Sequence, residues 1–266
     1  MARGTALITG ASRGIGRAIA AELLVRGWRI VATCRAPEKL TSAEKLEGAI
    51  YLPYDASDPG SIEELARRAG EVDVLINNAG AGPIGPAEEA MPEKVRDHFQ
   101  LNLFSAIQLT QAVLPGMRDR RRGAVIFIGS MRSEVPSPFS SLYSASKAGV
   151  RSFAECLRME VREYAIHVSV VVPIYMRTSL GQEILVMPGS PYAAAVRRVK
   201  ARRDKDISAA SPPEAVAKTI VKILGSRRPK AVYFSGRGAR LKGFLARHLP
   251  RGLMEASRTR ASGLRD

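Results

Sequence analysis

Seven short, β-rich runs alternate along this chain with helix-length amphipathic stretches. The runs fall at residues 6–9, 29–33, 49–52, 72–76, 124–128, 167–172 and 231–234, and helical stretches lie near 16–26, 61–69, 95–114 and 143–163. Several of the runs are unbroken apolar segments, as expected of strands covered by helices on both faces of a parallel sheet. Such alternation argues for one doubly wound α/β sheet of about seven strands with right-handed crossovers. No internal repeat is visible, and residues 1–266 read as a single domain.

Local punctuation supports these boundaries. Asp58 followed by Pro59 reads as an N-cap with proline at the first helical position. Ser211-Pro212-Pro213-Glu214 reads as a capping box that opens a helix through residue 224. Residues 179–210 carry Gly181, Pro188, Gly189 and Pro191 and contain no clear strand. Their position after the sixth strand suggests a mobile flap over an active site.

Composition narrows the class. The chain is 45% hydrophobic and 25% charged, with no apolar run that reaches the roughly eighteen residues a membrane-spanning helix needs. The first strand-like run starts at Thr5, which leaves no room for a signal or transit peptide. Cys34 and Cys156 stand alone, without metal-type spacing. A reducing, cytoplasmic setting is expected, with neither a disulfide framework nor a metal site.

Thr9-Gly10-Ala11-Ser12-Arg13-Gly14-Ile15-Gly16 follows the first strand and opens the first helix. Glycines there let the backbone approach a pyrophosphate, and the helix N-terminus supplies N–H groups and positive potential. That context makes the sheet a Rossmann-type dinucleotide site. Tyr143 and Lys147 are four residues apart and share one helix face, and Ser130 lies upstream. Such a trio suits moving a proton on or off an alcohol or carbonyl oxygen, because a nearby ammonium draws a phenol's pKa toward neutrality.

With these motifs the chain resembles the short-chain dehydrogenase/reductase family over most of its length, and its hydroxysteroid-dehydrogenase-like branch in residues 32–40 and the C-terminus. The glycine turn is similar to the family's Thr-Gly-x-x-x-Gly-x-Gly, and Asn77-Asn78-Ala79-Gly80 to its Asn-Asn-Ala-Gly. The resemblance makes Tyr143 the general acid or base, with Ser130 holding the substrate oxygen. Lys147 would grip the nicotinamide ribose and lower the tyrosine pKa, and Asn102 would link Lys147 to solvent through water. It further implies cofactor contacts from Gly10, Ser12, Arg13, Gly14, Ile15, Gly16, Arg35, Asp55, Ala56, Asn78, Ala79, Gly80, Met176 and Thr178. The activity implied is carbonyl–alcohol interconversion on a small ketone or alcohol. A homo-dimer or tetramer is implied through the helices beginning near Val95 and Tyr143.

The second run ends in Cys34-Arg35, where an acidic residue would bind the 2′-hydroxyl of NAD. Arg35 and Arg13 suit a 2′-phosphate instead, so NADP(H) is the expected cofactor. Two departures from the family pattern stand out. The pair after the sixth run is Pro173-Ile174 rather than Pro-Gly, and isoleucine adds bulk and disfavours positive φ beside the nicotinamide. That departure leaves a rival reading open, a catalytically weak NADP(H)-binding sensor or scaffold. Arg132, in Met131-Arg132-Ser133, either faces the pocket to meet an anionic or carbonyl-rich substrate or points to solvent. Met131, Phe139 and Tyr175 suggest an apolar substrate.

The net charge of +16 is lopsided: residues 197–266 hold 19 Lys and Arg against 5 Asp and Glu. In the basic segment 237–266, Leu241, Phe244, Leu245 and Leu249 share a helix face among Arg240, Lys242, Arg247 and Arg251. That helix could close over the pocket or meet a dimer partner, or it could attach peripherally to an anionic membrane. Nucleic acid is the weakest candidate, because no aromatic platform accompanies the charge.

Overall fold

The computed structural model describes residues 3–178 and 183–261. Seven parallel strands form one sheet in the order β3-β2-β1-β4-β5-β6-β7. They are β1 (Thr5–Ile8), β2 (Arg29–Cys34), β3 (Ala49–Pro53), β4 (Val74–Asn77), β5 (Gly123–Ile128), β6 (Ile166–Pro173) and β7 (Val232–Ser235). All seven apolar runs are strands, displaced by no more than two residues at either end. The strand order reverses between β1 and β4, which opens a crevice at their carboxyl ends.

Apolar runs without polar alternation need cover on both faces, and two packed clusters supply it. One face (Leu7, Val31, Leu75, Val125, Phe127, Val170) packs against α2 (Ser61–Ala69), α4 (Ser105–Asp119) and α5 (Ser141–Glu160). The other (Ala6, Ile8, Ile30, Ile76, Ile126, Val171) packs against α1 (Gly14–Val25) and α7 (Glu214–Leu224). Adjacent residues of one strand thus enter opposite cores, as the pleat requires.

The expected helix at 95–114 is broken. It comprises α3 (Pro92–Phe99), a π-turn over Gln100–Phe104 that holds Asn102, and α4. The described residues of 179–210 hold no strand of the sheet, and their second half is the sixteen-residue α6 (Ala193–Ser208), rich in strong helix formers. Residues 179–182 lie outside the described part. The last two helices are α8 (Ala239–His248) and α9 (Arg251–Ala261). No helix among the described residues is long and apolar enough to cross a membrane.

Both expected caps are corrected. Asp58 accepts from the Gly60 N–H at 2.9 Å in a local turn, and α2 begins only at Ser61. Ser211 does not cap α7. Its hydroxyl accepts from the Arg237 N–H at 2.9 Å and its carbonyl from the Arg177 N–H at 3.0 Å. Ser211 therefore ties the loop after β6 to the turn after β7, a tertiary task that displaces the local one.

Candidate active site

The crevice at the strand ends is a cavity of about 420 Å³. Its first wall is the glycine turn. The Asn78 and Ala79 N–H groups donate to the Thr9 hydroxyl at 2.9 and 3.0 Å, and the Asn78 side-chain amide donates to the Thr9 and Gly10 carbonyls. These bonds lock the end of β4 to the turn after β1. The N-terminus of α1 has no side-chain cap, so its N–H groups remain available to an anion.

Ser12, Arg13, Gly14 and Ile15 line this wall with Arg35, Asp55 and Ala56, and Asn78, Ala79, Gly80, Met176 and Thr178 line it further along. Gly10 also lines it. Gly16 does not: it lies beneath the turn, where a Cβ would collide with the Gly10 carbonyl. Its part is close packing of helix on turn rather than cofactor contact. Asp55 accepts from the Ser57 N–H and hydroxyl, at 3.0 and 2.6 Å.

The second wall holds Ser130, Tyr143 and Lys147. Ser130 lies two residues beyond β5 and Tyr143 in the first turn of α5, and both line the cavity. One turn on, Lys147 is buried and donates to the Ile128 carbonyl at 2.9 Å. Burial lowers the Lys147 pKa to about 8. Burial also pushes the Tyr143 phenol up, against opposing pulls from the Ser130 hydroxyl and the Arg203 and Arg132 charges. The charges drawing the phenol down include those of Arg203 and Arg132, and the Lys147 ammonium donates to the Ile128 carbonyl.

Asn102 is buried and does not line the cavity. It accepts from the Ala81 N–H at 3.0 Å and donates to the Ala81 carbonyl at 3.0 Å, clamping the loop after β4. Gly80 makes this approach possible, because a Cβ there would lie 2.5 Å from the Asn102 Oδ1 and 3.5 Å from the Lys147 Nζ. Asn102 also reaches the His98 ring at 3.0 Å, and His98 meets the Ser146 hydroxyl at 3.1 Å. Burial, reinforced by the Lys147 charge, lowers the His98 pKa to about 4. Sequence reasoning missed His98, although its place one turn before Asn102 was a usable signal.

Ile174 lines the cavity without backbone strain, since the non-glycine residues with positive φ among the described ones are Arg121, Phe139 and Ala165. Its Cγ2 occupies the space a Cβ at Gly236 would need, 2.8 Å away. The bulk added after β6 is therefore accommodated by the glycine after β7. Arg132 faces the cavity and does not point to solvent: it bonds the Tyr175 hydroxyl and lies over the Tyr175 ring. Met131 and Tyr175 line the cavity as expected. Phe139 does not. It turns away to meet the Tyr192 ring, edge to face at 6.1 Å. Sequence reasoning also missed Arg203, Ile207 and Lys242, which complete the lining from α6 and α8.

Helix α8 closes this end of the cavity, but not with its leucine face. Ala239 and Gly243 face inward, Gly243 against the Phe234 ring, while Leu241 and Phe244 stay 64% and 57% exposed. Small residues permit the close approach that leucines would block.

A family model described as short chain dehydrogenase matches residues 4–187. The chain belongs to the short-chain dehydrogenase/reductase family. It is 33% identical over 241 residues to dehydrogenase/reductase SDR family member 7B of Bos taurus, covering 85% of this chain and 72% of that protein. Among solved structures, a short-chain dehydrogenase of Streptomyces avermitilis is 31% identical with a TM-score of 0.81, over 98% of each chain. A metagenomic short-chain oxidoreductase in complex with NADP is 28% identical with a TM-score of 0.69, over 88% of this chain and 96% of that one. As a member of this family the chain is an oxidoreductase of the dehydrogenase/reductase type.

Proposed function

We propose that this member uses NADP(H) to interconvert a carbonyl and a secondary alcohol. The observation that carries the reading is that Ser130, Tyr143 and Lys147 line the same cavity as an uncapped helix N-terminus and its glycine turn. The residues present fit a nicotinamide dinucleotide: backbone N–H groups for the pyrophosphate, Asn78 to Gly80 along the middle, and Lys147 near the ribose position. No acidic side chain stands at the end of β2, where Cys34 and Arg35 lie, and Arg13 and Arg35 line the same wall, which favours a 2′-phosphate. The solved relative named with NADP supports the same choice.

When bound, the nicotinamide would supply or accept the hydride. Tyr143, kept protonated at neutral pH by burial, donates its proton to the carbonyl oxygen as the hydride reaches carbon. Ser130 steadies the oxygen as charge develops there. The resulting phenolate is held by the Ser130 hydroxyl and the Arg203 and Arg132 charges, and oxidation of an alcohol reverses each step. A panel of ketones assayed by NADPH and NADH oxidation tests the reading. Turnover with a lower KM for NADPH is expected. Cofactor binding without turnover of any ketone would move the protein to the sensing or scaffolding role.

Self-association through α4 and α5 belongs to the same reading, with Met159 of α5 exposed at 71%. The outward face of α8 and α9 (Leu241, Phe244, Leu249 and Leu253, flanked by Arg240 and Arg247) suits an anionic membrane surface. Sedimentation with anionic vesicles, with and without residues 237–266, tests that attachment. Failure of the full chain to sediment at low salt would remove it.

A further inference from the structure

Three cations from three separate elements converge on the cavity beside Tyr143. Arg132 follows β5, Arg203 comes from α6 and Lys242 from α8, and all three line the cavity with Tyr143. Each is partly buried. They lie close enough to act on one another: after burial, the Arg132 charge lowers the pKa of both Arg203 and Lys242. They are also held in place. Arg203 donates to the Gly82 carbonyl at 3.3 Å, and Arg132 bonds the Tyr175 hydroxyl.

No ion pair balances them among the described residues. Asp204 and Asp206 attract Arg203 and Lys242 from α6, but only at longer range, and Asp204 pairs instead with Lys200. Among the described residues the one carboxylate lining the cavity is Asp55, which follows β3 at the other edge of the sheet from β7. Like charges gathered in a partly desolvated pocket are costly unless a counter-charge joins them. The cofactor's phosphates do not provide it, because the glycine turn, Arg13 and Arg35 receive them at the other wall.

Resting on the oxidoreductase reading, we propose that the substrate is an acidic carbonyl compound whose carboxylate or phosphate is held by Arg132, Arg203 and Lys242 while its carbonyl oxygen meets Ser130 and Tyr143. Guanidinium forks match either oxyanion in two-point geometry, and the lysine adds a point charge. Met131, Ile174 and Ile207 wall the space between for hydrocarbon.

The test uses matched pairs with NADPH: keto acids of graded chain length against their methyl esters, and ketones bearing a phosphomonoester against the same ketones without it. The charged member of at least one series should be favoured by about tenfold or more in kcat/KM, and the series that shows it separates carboxylate from phosphate. That ratio should fall toward one in Arg203→Met and in Lys242→Met, the second variant serving if the first does not fold. Turnover of neutral partners at equal efficiency, with the ratio unmoved in both variants, overturns the anion site and leaves the oxidoreductase reading standing. Absence of turnover with every compound counts against that reading instead. Calorimetric titration of the NADPH-loaded protein with the same pairs then decides the anion site, tighter binding of the acids supporting it and equal binding overturning it.

Discussion

The two ends of the cavity recognise their ligands by different means. The cofactor end is built largely from backbone: a glycine turn, the first N–H groups of α1 and the carboxyl ends of β1 and β4, joined by Thr9 and Asn78. The substrate end is built from side chains of Met131, Arg132, Tyr175, Arg203, Ile207 and Lys242, drawn from four segments of the chain. Backbone recognition demands particular residue types at fixed spacing. Side-chain recognition demands only that suitable groups arrive at one place. The first end should therefore be intolerant of small steric changes, and the second should be tunable by charge.

The largest effect expected at the cofactor end follows from Gly16→Val. Its side chain would press on the Gly10 carbonyl and displace the turn, weakening NADPH binding by up to about 100-fold in a fluorescence titration. Near-normal affinity would break the claim that backbone geometry governs this end. A smaller, selective effect follows from Arg35→Ser, which should raise KM for NADPH by about tenfold and hardly alter KM for NADH. A parallel rise for both cofactors would mean that Arg35 does not read the 2′-phosphate.

Between the two ends, buried His98 should make the protein sensitive to acid. Its folded pKa of about 4 lies below the unfolded value of about 6.5, so the unfolded chain binds the extra proton first. Stability then falls as pH drops through that window, by roughly 3 kcal/mol for such a shift. His98→Gln should flatten this part of the pH profile in urea unfolding, and an unchanged slope would contradict it. Lys147 works in the opposite range. Its depressed pKa of about 8 means that stability rises as pH climbs from there toward the unfolded value of 10.5. The smallest catalytic effect is expected from Ile174→Gly: less than about threefold in KM for NADPH, with about 1–3 kcal/mol of stability lost through packing. A large improvement in cofactor affinity would show that the isoleucine does obstruct the nicotinamide.

The same contrast explains what the sequence disclosed. Apolar, β-rich runs located all seven strands, because burial on both faces leaves the central ones little other composition. Ser130, Tyr143, Lys147 and the glycine turn were legible because their spacing is imposed by one strand end or one helix turn. Arg203 and Lys242 were not, since nothing in a basic helix says which cation faces inward until α6 and α8 are packed. Phe139 was misplaced for the same reason: its apolarity signals burial, and Tyr192 rather than the cavity satisfies it. Ser211 kept the look of a helix cap while its hydroxyl was committed to Arg237. Local rules failed where a tertiary partner outbid the local one.

The central claim is that one end of this cavity binds the cofactor and the other, through Tyr143, moves the proton. It is tested most directly by measuring NADPH affinity and ketone turnover side by side in wild type and Tyr143→Phe. The account predicts that affinity stays within about threefold while kcat falls by roughly 100-fold or more. Turnover that survives the loss of the hydroxyl would contradict it.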